Sequence, residues 1–213
     1  MSEFTDWHND LLGAKVVEAL KKNNFAASYV KTRKEALEKL LALIPQAATI
    51  GIAGSWTIKE IGLDTALEKR GNTVYNHNKP GLTKEESLEV RRKELLSDVF
   101  LTGTNAVTLD GQLVNVDGAG NRVAAMTFGP KQVYVIVGTN KIVKDLNEAQ
   151  QHIKLYAAPI NNKRLNLPNP CVKTGECMNC QSPSRICNIT TIMHKRPMAI
   201  QIHVVVVGEQ LGF

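Results

Sequence analysis

Residues 101–143 read LTGTNAVTLDGQLVNVDGAGNRVAAMTFGPKQVYVIVGTNKIV, and the punctuation of this block decides the fold. After Gln132, residues 133–137 are continuously apolar or aromatic, the pattern of a strand buried on both faces. Asp110-Gly111 separates two β-type runs, 106–109 and 112–116, and supplies the positive φ angles of a type I′ hairpin turn. The block therefore predicts strand, hairpin, short helix, strand and an ordered turn. Gly103-Thr104-Asn105 and Gly138-Thr139-Asn140 repeat one punctuation after two of these strands. A small residue beside an amide leaves room for a ligand and donors to hold it, although the same residues also make plain turns.

Outward from this block, helices and strands alternate. Residues 6–24 carry helical apolar spacing at Leu11, Leu12, Val16 and Leu20. Thr32 and Glu35 form a capping box ahead of an apolar face at Ala36, Leu37, Leu40, Leu41 and Ile44, which Pro45 ends. Residues 48–53 read as a strand running into Gly54-Ser55-Trp56-Thr57 and a helix to Arg70. Thr57 and Glu60 are its expected capping box, and Gly71 its stop. Strands are expected at 72–76, 98–102 and 199–207, and helices from Thr83 to Leu96 and over 145–158. Residues 159–197 are rich in Asn, Pro and Cys and have little periodicity. The alternation predicts an α/β fold, with a parallel-rich sheet, right-handed crossovers and helices on both faces. One domain is expected over residues 1–213, bearing a cysteine-rich loop at 170–188.

The chain has 213 residues, ordinary apolar content at 43% and a net charge of +6. Its basic residues are scattered among acidic ones and aromatics are few, so no nucleic acid is implied; an anionic small ligand or an acidic partner fits the charge. No stretch is long and apolar enough to span a membrane, and MSEFTDWHND lacks a signal pattern, so a cytoplasmic location is expected. A reducing compartment disfavours structural disulfides.

Three constellations carry chemistry. Gly54 and Ser55 sit at a strand–turn–helix joint, where glycine lets a ligand approach the backbone. Ligands of open α/β sheets bind beyond the carboxyl ends of the strands. A crevice is therefore expected between Gly54-Ser55, Asn105 and Asn140-Lys141. Asp117, Asn121 and Arg122 form the second group: Arg122 offers a two-pronged grip on a carboxylate, and Asp117 a base or a hydroxyl acceptor. An Asx turn with Arg122 paired to Asp117 explains the same residues. The third is Cys171-x5-Cys177-x2-Cys180-x6-Cys187. Four thiols in one short loop suit an all-cysteine metal site. Irregular spacing with one close pair favours a cubane 4Fe–4S cluster, with zinc the alternative and free thiols a third reading. Lys173 and Arg185 would offset the cluster's charge, and with Lys195 and Arg196 would steer an acidic redox partner. No Ser-His-Asp pattern or H-E-x-x-H occurs. The dispersed histidines read as surface or core, His203 on the late strand among them.

NAVTLDGQLVNVDGAGNRVAAMTFGP followed by VGTNKIV resembles the lactate-utilisation (LUD) domain family. The resemblance runs over residues 4–160 and is most specific over 105–143. It implies a fold similar to ribose-phosphate isomerases and CoA transferases, whose phosphate- or CoA-facing loop matches the Gly54-Ser55 joint. It also implies a role in oxidising L-lactate or a related 2-hydroxy acid together with iron–sulfur partner proteins. The cysteine segment departs from the shortest family members. An anion-binding or regulatory module with a structural zinc is the other reading of the chain.

Overall fold

The computed structural model describes residues 3–213; the first two residues of the polar N-terminal stretch lie outside it. The chain opens with helix α1 (Glu3–Lys22), strand β1 (Ala26–Val30) and helix α2 (Arg33–Leu43). Strand β2 (Ile50–Ile52), helices α3 (Trp56–Ile61) and α4 (Leu63–Lys69) and strand β3 (Val74–Asn76) follow. Next come α5 (Lys84–Leu95), β4 (Val99–Gly103), β5 (Ala106–Thr108), β6 (Leu113–Asp117), α6 (Asn121–Thr127) and β7 (Gln132–Gly138). The remainder is β8 (Ile142–Val143), α7 (Leu146–His152), α8 (Ala158–Arg164), α9 (Cys171–Thr174), β9 (Ile189–Met193) and β10 (Gln201–Val207).

Six strands form one parallel sheet in the order β1-β10-β7-β4-β2-β3. Both faces are covered, which is why β7 is apolar over 133–137 and β10 over 204–207. On one face Val133, Val135, Val204 and Val206 meet Val16, Val17 and Leu20 of α1 and Met126 of α6. On the other, Tyr134, Ile136 and Val205 meet Ala36 and Leu40 of α2, Ile58 of α3 and Leu63 and Leu67 of α4. A second sheet, β8-β5-β6-β9, lies beside the first. Its apolar side, Ala106, Val114 and Val143, packs on Ala149, Ile153 and Ala158.

The expected α/β class with a parallel sheet holds, and the departures have physical reasons. β1 is a strand that the sequence pattern does not announce: it is five residues long and none is fully buried, so no strong alternation marks it. The late strand β10 enters the middle of the sheet, pairing Val204 with Val135 and with Ala27. His203 on it is packed, with Nε2 3.0 Å from Ser28 Oγ and its ring against Tyr134. The hairpin β5–β6 forms, but Gly111 alone has positive φ (+76°), and its N–H closes the turn on the Thr108 carbonyl at 2.8 Å. That is a longer loop with a left-handed glycine, not a type I′ turn. A Cβ on Gly111 would lie 2.6 Å from the backbone of Ala19, so α1 demands glycine there too. Thr83 and Glu86 make the full capping box. Thr32 caps α2, but Glu35 reaches back to the Lys31 N–H. The expected Thr57–Glu60 box does not form, because Ser55 is the N-cap and Thr57 is buried inside α3. Pro159 does not stop the last long helix. A π turn (Ile153–Ala157) delivers the chain into α8 with Pro159 in its first turn, where no N–H is needed.

Candidate functional site

From β2 the chain runs outward to β3, then crosses back so that β4, β7 and β10 build the opposite half of the sheet. The reversal lies between β2 and β4, and beyond the carboxyl ends of these strands a crevice opens. It has a volume of about 100 Å³ and is walled by Gly54 to Thr57, Gly103 to Asn105, Arg122, Lys141, Asn161, Arg164 and Phe213. That is room for a few small atoms, given the ~30 Å³ share of one liquid water. Gly54 has φ +67°, and a Cβ there would sit 2.4 Å from Asn78 Nδ2, so only glycine lets the joint pass. A Cβ built on Gly103 would be 3.0 Å from Ser55 Oγ and 3.7 Å from Lys141 Nζ. The hydroxyl and the amine therefore flank one point above the end of β4.

The two cations of the crevice differ in kind. Arg122, on α6, spends its guanidinium on the protein. Nη1 donates to Asn115 Oδ1 (2.6 Å) and the Gly103 carbonyl (3.4 Å), and Nη2 to the Val116 carbonyl (2.6 Å) and Asn105 Oδ1 (3.0 Å). Nε pairs with Asp117 at 3.4 Å. Burial lowers its pKa and Asp117 opposes the shift, and an arginine keeps its charge regardless. Arg122 thus lends positive potential to the crevice but has no free pair of donors for a carboxylate.

Lys141 follows β7 and is 2% exposed. Its Nζ donates to Thr57 Oγ1 at 3.1 Å, which leaves two protons unused. Burial, then the nearby Arg122, pull its pKa down to about 7, against a small opposing pull from Glu60. Ser55 Oγ and Asn105 Nδ2 have no protein partner among the described residues, and both border the same space. Asn105 Oδ1 is taken by the Val116 N–H (2.9 Å) and by Arg122. An acceptor-only ligand thus meets an ammonium, a hydroxyl and an amide.

The other predicted residues fall elsewhere. Asn140 faces the last residues of the chain, giving Nδ2 to the Gly212 carbonyl and accepting from the Leu211 N–H, both at 3.0 Å. It thereby holds the segment that covers Lys141, and does not line the crevice. Asp117 accepts from the Gly120 N–H at 3.0 Å while pairing Arg122, as an Asx turn does. Asp117 and Asn121 border a wider lobe that continues outward from the crevice. Thr57, Asn161, Arg164 and Phe213 also wall the site, although no motif in the sequence marks them for it. Arg164 gives Nε and Nη2 to Asn161 Oδ1 (3.0 and 2.8 Å) and lies 6.0 Å from the Phe213 ring.

The four cysteines are unbridged and line a single small cavity of about 20 Å³ with Met178, Arg185 and Ile186. Arg185 staples their loop, donating Nη1 to the Cys180 carbonyl (2.6 Å) and Asn179 Oδ1 (3.0 Å), and Nε to the Cys187 carbonyl (3.1 Å). Asn169 holds the Ser184 carbonyl (2.9 Å), and the Cys177 N–H reaches the Lys154 carbonyl (2.9 Å). Burial raises the Cys171 thiol and lifts Cys187 to about 11, the neighbouring thiols adding to both. Among the described residues no three His, Cys, Asp or Glu side chains are gathered around one ion position. The donor set suits a tetrathiolate group in chemical identity, since four thiols and no carboxylate line one cavity beside a cation. Arg185 also borders the lobe outside the crevice, so the two sites share a wall. Arg196 gives Nε and Nη1 to the carbonyls of Asn24, Pro197 and Ile200 near the amino end of β10.

A family model described as LUD domain matches residues 13–207. The crystal structure of a DUF162 family protein from Deinococcus radiodurans is similar in fold, with a TM-score of 0.53 at 16% identity, covering 93% of this chain and 98% of that one. No curated protein matches the chain.

Proposed function

We infer a function from the premise that this chain belongs to the LUD domain family and is a lactate-utilisation-related protein. It is a cytoplasmic redox subunit that works with iron–sulfur partner proteins in oxidising L-lactate or a related 2-hydroxy acid. The observation that carries the acid-binding half is Lys141, a buried amine with one hydrogen bond, set at the reversal point of the sheet. The carboxylate of a small acid docks on Lys141, Ser55 and Asn105, while Arg122 supplies potential from behind them. The crevice is small and polar, which suits a ligand with little apolar surface. Residues 211–213, held by Asn140, screen Lys141 from water. Cys171, Cys177, Cys180 and Cys187 would hold a 4Fe–4S cluster, which when bound passes one electron at a time. Lactate oxidation releases two electrons and two protons, so the partner proteins must accept the electrons. Among the described residues no helix is long and apolar enough to cross a membrane.

The test uses protein purified without oxygen, alone and with its co-expressed neighbours. About four irons per chain and lactate-dependent dye reduction only in the presence of the partners are expected. Lys141→Met should abolish that reduction and leave the iron content unchanged. Stoichiometric zinc without iron would favour the anion-binding module with a structural metal. Full activity in Lys141→Met would remove the crevice from the reaction.

A further inference from the structure

Outside the crevice the cleft widens into a second lobe of about 420 Å³, and we propose that this lobe is a subsite for a phosphoryl-bearing ligand, gripped by Arg91 and Arg164. The inference goes beyond the small-acid reading: the lobe shares Ala53, Gly54, Val116, Arg122, Asn161 and Arg164 with the crevice, but Arg91 and His77 line the lobe alone, and Ser55, Asn105 and Lys141 the crevice alone.

Arg91 reaches the lobe from α5, and its Nε is buried without any hydrogen-bond partner. No carboxylate or carbonyl among the described residues engages its guanidinium. An unpaired buried donor is costly and uncommon, more so when charged. The nearest candidate acid on the same helix is Glu94, but it is spent. It accepts the His77 N–H (2.9 Å) and faces His77 Nδ1 with both oxygens (2.8 and 3.0 Å). Asp117, the one carboxylate lining the lobe, is taken by Arg122 and the Gly120 N–H. Arg164 presents an unused Nη1, because Nε and Nη2 both go to Asn161. His77 also borders the lobe, and its Nε2 has no protein partner among the described residues. The lobe therefore carries positive charge that the protein does not balance. Planar guanidinium forks match phosphate oxygens, and the volume lies within the range of small-molecule sites, with space for the group the phosphate is attached to.

Isothermal titration of the full chain at low salt tests this, with inorganic pyrophosphate and ADP as separate probes. Saturable one-to-one binding is expected, weakened about tenfold or more in Arg91→Gln or Arg164→Gln. Arg92→Gln, an exposed neighbour paired with Glu89, should bind like the parent. Tighter binding of ADP than of pyrophosphate assigns the lobe to a nucleotide; equal binding assigns it to the phosphoryl group alone. Circular dichroism selects the variants that fold, and affinities are compared among those. No saturable heat with either probe, or a loss below about tenfold in every folded arginine variant, overturns the proposal. Titration of L-lactate into Arg91→Gln, a residue that lines the lobe and not the crevice, reads the inner crevice separately, so failure of one site is not mistaken for failure of the other.

Discussion

The crevice at the strand ends and the cysteine loop lie on either side of one outer lobe, whose wall includes Arg185 of the loop, yet they are built in opposite ways. In the crevice, a cation is immobilised by protein acceptors on β6 and at the end of β4, and the free donors stand on or beside rigid strand ends. In the loop, a single arginine and a single asparagine supply much of the tethering, and the four thiols line one small cavity. The first site is preorganised before any ligand arrives. The second is held by few tethers and has no comparable network of its own. The contrast teaches that charge at a site is not the same as availability. Arg122 is charged and spent; Lys141 is weakly charged and available.

The sharpest way to break this comparison is Arg122→Met. The substitution strands Asp117, two amide oxygens and two carbonyls around a space of similar shape. Losing one partner of a buried ion pair costs about 3–5 kcal/mol, so a loss of that size is expected in urea unfolding. Replacing Cys180 by Ser in metal-free protein should cost far less, since that side chain is partly exposed and fills no apolar core. Equal losses would mean that the two regions are built alike.

The next effect separates Lys141 from Arg122 by pH. Lys141 has a folded pKa near 7, below the ~10.4 of an unfolded lysine. Between these values the unfolded chain binds more protons than the folded one, so stability rises with pH across that window. Below it the folded chain carries the whole cost of a buried ammonium. The slope belonging to this one group is at most about 1.4 kcal/mol per pH unit. Lys141→Met should remove it, giving a variant more stable than the parent at neutral pH and converging on it near pH ~10. A parent whose stability is flat from neutral to alkaline pH, with the variant parallel to it, would mean that the amine is not desolvated as described.

Much of this fold was legible because its signals are local. The buried run of β7, the Asp-Gly hairpin and the Thr83 cap each declare themselves within a few residues. What stayed hidden depends on distant partners. Nothing within residues 201–207 says that β10 inserts between β1 and β7, because a strand carries no mark of its neighbours. At the site, Ser55, Asn105 and Lys141 were readable as polar groups after strands. Thr57 was masked by a capping-box pattern that the chain does not use. Arg164 was masked by Pro159, which looks like a helix stop unless a π turn before it is foreseen. Arg122 allowed two readings in the sequence. Only the positions of Asn115 and the Val116 carbonyl on β6, and of Asn105 beyond the hairpin, show that its donors are already spent.

The smallest expected effect concerns the segment over Lys141. Asn140 makes two hydrogen bonds to the chain end, one in each direction, and it touches the crevice only through that segment. Gly212 lies so close that a Cβ on it would be 3.0 Å from Lys141 Nζ, so the segment covers this amine on one side. Asn140→Ala removes both bonds, and a typical net value puts the loss near ~1 kcal/mol, much of it local. Release of the segment lets water reach the amine, which weakens the desolvation that depresses its pKa. The variant should therefore show faster hydrogen exchange at residues 208–213 and a Lys141 pKa moved upward, read by NMR of the labelled side-chain amine. Global unfolding should shift only slightly. An unchanged pKa despite faster exchange would mean that α3 and the strand ends, rather than the covering segment, desolvate Lys141. The contrast between a preorganised crevice and an open loop would then rest on the sheet alone.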